Sequence, residues 1–151
     1  MRYLKILSVV AFAAFVNVAC DSSGDGDALT DLEMFEGSWA VAGASDDTGD
    51  VSVTFAMNFN SITALFRADG TVDVTVDAID DAGDLALSGT YSVNELTKTL
   101  TVSITGFSVP LVLSYEFMGA NEFDASAAAA IINVAFGTTL DGTAVITFQK
   151  G

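Results

Sequence analysis

The chain has no histidine, one cysteine and one proline among its 151 residues, and only 5 lysines and arginines against 20 aspartates and glutamates. Each shortage removes a class of chemistry. Without histidine there is no Ser-His-Asp or Cys-His relay and no histidine-bearing zinc, copper or haem site. The lone cysteine, Cys20, has no partner in the chain for a disulfide, so the fold rests on its core. A surface this poor in positive charge repels phosphate backbones, which excludes nucleic acid as a partner. No glycine-rich strand-to-helix loop is present to cradle nucleotide phosphates. The uncharged apolar stretch Ile6 to Val16 falls far short of the ~20 residues that span a bilayer. Carboxylates are plentiful, but they sit on turns and wet faces, and no pair stands out as a glycosidase-type acid and base. The chain therefore reads as non-catalytic, with no cofactor and no metal.

What is present begins with the N-terminus. Arg2 and Lys5 precede the apolar stretch, and Asn17-Val18-Ala19-Cys20 follows it. A basic pair, a short apolar run and a small residue before the cut are the parts of an export signal. The segment resembles the lipobox of bacterial lipoproteins. Val18 and Ala19 fit that pattern, and Asn17 stands where an aliphatic residue is usual. The resemblance implies a signal peptide over residues 1–19, cut before Cys20, whose thiol then carries acyl chains such as palmitate. It places the protein outside the cytoplasm, lipid-anchored to a bacterial membrane.

Cutting there removes Arg2 and Lys5 and no acidic residue. Three cations, Arg67, Lys98 and Lys150, then face 20 carboxylates, a net charge of −17. Such a surface gives no help in docking to anionic lipid, so the acyl chains do the anchoring. It is similar to the surfaces of proteins from salt-rich habitats, where screening weakens self-repulsion. A soluble acidic envelope protein of any habitat is the alternative.

Residues 20–31 are rich in Gly, Ser and Asp and read as an acidic flexible tether. Asp21, Ser23, Asp25, Gly26 and Asp27 also fall at the first ligand positions of an EF-hand loop. Leu32 then stands where the bidentate glutamate is required, and the match fails.

From residue 32 to 151 the period is two. Thr71 to Asp77 alternates without a fault, which points Val74 to a core and Asp73 and Thr75 to water. Val51, Val53, Phe55 and Met57 alternate likewise, as do Leu100, Val102 and Ile104, and Leu111, Leu113, Tyr115 and Phe117. Ile146 and Phe148 make a last such pair. Turn chemistry separates these runs: Asp69-Gly70, Asp81 to Asp84, Val93 to Glu95, and Asp141-Gly142. Pro110 stands at the start of a strand, where its missing N–H is tolerated. One segment breaks the period. Asp124 to Phe136 is alanine-rich and ends before Gly137, which predicts a short helix capped by Asp124, with a buried strand of small residues as the alternative. The pattern as a whole is all-β: a small antiparallel barrel, or a β-sandwich. The cluster Asp77, Asp80, Asp81 and Asp84 is the one acidic group dense enough to consider for calcium, and it lacks a glutamate ligand or a Gly-x-Asp repeat.

Three short motifs choose between barrel and sandwich. Gly37-Ser38-Trp39 lies on the first strand, Phe66-Arg67-Ala68-Asp69-Gly70-Thr71 forms a strand–turn–strand, and Gly89-Thr90-Tyr91 follows. In this order they resemble the lipocalin-like domains of bacterial lipoproteins. The resemblance implies an up-and-down barrel over residues 32–151. In lipocalins the tryptophan of this motif closes the barrel floor under an arginine from the late chain; here Trp39 has only Lys150 available late, and the T-D-Y-type motif of lipocalins is missing. Two roles follow as expectations. One is a structural or protein-interaction role at the envelope, with the barrel filled. The other is binding of one small apolar ligand inside it, with Trp39, Phe55, Phe66, Tyr91, Tyr115 and Phe117 as candidate wall residues.

Overall fold

A computed structural model of the chain describes residues 28–57, 59–79 and 84–151. In chain order the elements are α1 (Asp31–Phe35), β1 (Gly37–Asp46), β2 (Gly49–Asp50), α2 (Ser52–Ala56), β3 (Phe59–Phe66), β4 (Thr71–Ala78), β5 (Leu85–Asn94), β6 (Thr99–Ile104), β7 (Leu111–Gly119), β8 (Glu122–Ala128), α3 (Ala129–Phe136) and β9 (Thr143–Lys150). Every pairing is antiparallel, and from β3 to β9 each strand pairs with the next in sequence. β1 pairs with β3 on one side and β9 on the other, with Trp39 opposite Lys150 and Val41 opposite Phe148. That last pairing closes an eight-stranded up-and-down barrel and rules out the sandwich. Closure also leaves no free edge among the eight strands. β2 only folds back on the end of β1. The closed sheet and both clusters of buried side chains are built wholly from residues 31–150.

Alternation puts the expected faces inward. On β4, Val72 is 1% exposed and Val76 is buried, Thr75 faces water, and Val74 is half-buried. Leu100 and Val102, Leu113 and Tyr115, and Ala144 and Ile146 are the buried positions of β6, β7 and β9.

The barrel has two unlike ends. At one, β1 begins and β9 finishes. α1 lies across this end and lowers Phe35, fully buried, into the bore. Thr30 and Glu33 close a capping box at the start of α1, each satisfying the other's backbone N–H. At the other end lie β2, α2, the β6–β7 loop and α3. We call these the closed and open ends.

Two segments differ from the expectation. Residues 51–57 are not a strand. They contain α2, which buries Phe55 and leaves Val53 and Met57 exposed. A strand there would run back along the same edge of β1, which β3 takes from Ala40 to Gly37. Instead the Ser52 hydroxyl accepts from the Ala44 N–H and donates to the Ala44 carbonyl, which turns the chain over the open end. The second case is the alanine-rich segment. Its first half, Asp124 to Ala128, belongs to β8, and only Ala129–Phe136 is helical. Asp124 is no cap; it accepts a hydrogen bond from Thr147 across the sheet at 2.7 Å. β8 has partners on both sides as far as Ser126, and ladder bonds there outweigh alanine's helix preference. The pairing with β7 stops at Ser126, and after the Ala129 N–H bonds the Gly142 carbonyl the ladder to β9 stops too, so the backbone satisfies itself as a helix. Gly137 ends that helix in the left-handed region, φ 67°, where its N–H bonds the Asn133 carbonyl.

Candidate functional site

The closed end is solid. Trp39 is fully buried on β1, and its indole N–H donates to the Phe35 carbonyl at 2.6 Å. The Phe35 ring packs against Tyr115, Phe117 and Phe123 with centroids 4.9, 4.8 and 5.0 Å away. Phe66 meets the edge of Tyr91 at 4.8 Å, and the Tyr91 hydroxyl donates to the Arg67 carbonyl. The Lys150 ammonium sits 5.1 Å from the centre of the Trp39 ring and donates to the Met34 carbonyl at 3.3 Å. Gly37 makes room for it. Its φ is 121°, and a Cβ there would stand 2.9 Å from the Lys150 Cε. The glycine of the Gly-x-Trp motif thus seats a cation over the tryptophan.

A second contact pins α1. Asp31 accepts from the Lys98 ammonium and from the Tyr115 hydroxyl. Burial pushes the Asp31 carboxyl upward, but these two bonds and the Lys98 charge together outweigh it and hold the group below the ordinary carboxylate range. Burial first, then the bond to Asp31 and its charge, push the Tyr115 phenol well above its usual range.

Towards the open end the bore is hollow. A void of about 110 Å³ lies among β3 to β9, lined only by apolar side chains, among them Val72, Val74, Leu87, Leu113 and Phe148. Phe107 and Val109 of the β6–β7 loop and Ala135 of α3 line it as well. Phe107 is 52% exposed and Val109 74%, so they form its mouth. A smaller void of about 50 Å³ adjoins it beneath α2 and α3, sharing Ile62, Leu111, Leu113, Ala125 and Phe148. Around the open end Val53, Met57, Leu85, Ile131 and Val134 are also exposed.

Of the six aromatic residues expected as cavity wall, Phe66 lines the larger void and Phe55 the smaller. Trp39, Tyr91, Tyr115 and Phe117 sit together at the closed end and fill it. Leu87, Phe107, Val109 and Ala135 line the void unanticipated. Apolar residues in the loop just before Pro110 were the one available signal. Cys20, the EF-hand-like segment and Asp80 and Asp81 lie outside the described residues.

The few described cations gather at one end, while carboxylates occur at both. The three cations of the described residues are all at the closed end: Arg67 beyond the end of β3, Lys98 in the β5–β6 turn and Lys150 at the end of β9. Asp46, Asp47, Asp50, Asp84 and Asp141 are at the open end. Three of them hold the local chain: Asp46 accepts from the Thr48 N–H and hydroxyl and from the Asp141 N–H, Asp47 from the Thr143 N–H and Asp50 from the Ser52 N–H. Hydrogen bonds from Thr48, first of all its hydroxyl, hold the Asp46 carboxyl below its ordinary range. Among the described residues no three acidic or cysteine side chains gather to hold a metal ion, and no helix is long and apolar enough to cross a membrane. No family model matches the chain, and no curated protein matches it either.

Proposed function

We propose that the protein is an envelope lipoprotein, anchored in a bacterial membrane through acyl chains on Cys20, whose lipocalin-like barrel is a non-catalytic scaffold with a structural or protein-interaction role. The observation that carries this reading is the interior. Its closed half is packed with aromatic rings, and its larger void is about 110 Å³, against roughly 300 Å³ or more for a pocket that encloses a drug-sized ligand. The resemblance to lipocalin-like domains is supported by the closed barrel and by Lys150 over Trp39, where that family has an arginine. The anchoring rests on the basic pair, the short apolar run and the small residue before Cys20. Two or more acyl chains hold a protein stably on a bilayer. Cys20→Ser should therefore lose acyl labelling and leave the membrane fraction, or accumulate uncut. Membrane partitioning and processing unchanged by the substitution would refute the anchor.

A second reading is favoured by one observation. The void is wholly apolar and its mouth is exposed, and dry voids of ~150 Å³ accept benzene-sized molecules. On this reading the barrel holds one small apolar group.

A further inference from the structure

The mouth of the void adjoins a second concavity. Ile104 and Phe107 line the void, and they also line an open groove on the outer face of β4, β5 and β6. The strands slant around the barrel, so this groove runs from Arg67, just past β3, to Phe107 at the mouth. Its wall is polar and faces outward. Asp73 stands opposite Ser88, and Thr90 opposite Ser103, across the paired strands, with Thr105 beyond. Ser88, Thr90, Ser103 and Thr105 are exposed. Arg67 and Asp73 hold each other at 2.5 Å with their side chains 42% and 41% exposed, so their outer atoms are open to a ligand while their charges cancel. An anion would have to take Arg67 from Asp73 and then face the freed carboxylate, and a cation would meet the reverse. A neutral group rich in hydroxyls needs neither exchange. It finds donors in the guanidinium, an acceptor in the carboxylate, and both in the Ser and Thr hydroxyls. The half-exposed Phe107 ring offers a flat apolar face at the junction of groove and void. We infer that the groove is a saccharide site, and that its ligand joins a neutral sugar in the groove to a small apolar group in the void. The inference rests on the second reading above, the small apolar occupant.

The test compares three probes by calorimetry on residues 28–151, which carry the whole closed sheet and both buried clusters. Phenyl β-glucoside has both parts of the ligand, phenol only the apolar part, and phenyl phosphate an anion in place of the sugar. The glucoside should bind about tenfold more tightly than phenol, a gain of about 1.4 kcal/mol. Phenyl phosphate should bind no better than phenol. Thr90→Trp, on the exposed face of β5, should cover the groove, erase the gain and leave phenol binding as it was. Ser103→Trp does the same from β6 if β5 does not tolerate the ring. Ala135→Phe, or Val109→Trp from the loop, should fill the void and abolish binding of phenol and the glucoside alike. A glucoside no tighter than phenol, a phosphate tighter than the glucoside, or a gain untouched by both groove variants would overturn the saccharide site and leave the pocket standing. Failure of phenol and glucoside both, or binding untouched by both void-filling variants, would overturn the pocket and the inference together.

Discussion

At the scale of single residues, the Gly37–Trp39–Lys150 contact shows how much a side chain's absence can do. Gly37 is held at φ 121°, a region that costs any other residue, and its missing Cβ lets the Lys150 stem pass over Trp39. Gly37→Ala should therefore destabilise the barrel through two separable effects, backbone strain and a clash with Lys150. A double-mutant cycle resolves them. Lys150→Ala alone should cost about 0.5–2 kcal/mol, the range of a cation–π contact. In that background Gly37→Ala should cost less than it does in the native chain, because only the strain remains. Denaturant melts of the four proteins measure this, and strict additivity would contradict the packing described.

At the scale of elements, α1 is the piece whose docking depends on charge. Its Phe35 fills the bore and its Asp31 is gripped by Lys98 and Tyr115. Asp31 is held below its ordinary range, so its contribution to stability is complete above the unfolded value of ~3.9 and lost as pH falls through the lower folded value. Stability owed to α1 should be flat between about pH 5 and 8 and fall only in acid. Asp31→Asn should remove it at every pH, at about 1–2 kcal/mol, since bonds to charged groups are the stronger ones. Melts across pH check this: the variant should melt lower at neutral pH and lose less in acid. The start of α1 was readable in Thr30-x-x-Glu33, a capping box that falls where the sequence reads as tether. The strands were legible because one wet and one buried face impose strict alternation, as on β4 and β7. Residues 51–57 alternate equally well, yet Val51, Phe55 and Phe59 are also four apart, and a run this short satisfies both periods. Only the competition with β3 for the edge of β1 decides between them. The alanine segment was half legible: the Gly137 cap was plain, while the strand before it depends on partners distant in sequence. The aromatic residues were legible as inward-facing. Their sorting into a solid closed end was not, because the step from strand to bore height needs the register of all eight strands. The void is bounded by a loop and a helix that carry no period of two.

At the scale of the whole molecule, a packed barrel stands against its own charge. A chain cut before Cys20 has three cations for 20 carboxylates, and folding gathers the unpaired ones onto a compact surface. Screening should relieve that repulsion, so the melting temperature should rise as NaCl goes from about 0.1 to 1 M. A flat series would contradict the charge account. The central claim, a solid closed end and a small dry void at the open end, is tested most directly by titrating the isotope-labelled barrel with benzene and following its nuclear magnetic resonances. The account predicts that methyl signals of Val74, Leu87, Leu113 and Ala135 shift while the Trp39 indole N–H does not. A shift of the Trp39 indole comparable to theirs, or no saturable shift at those methyls, would contradict it.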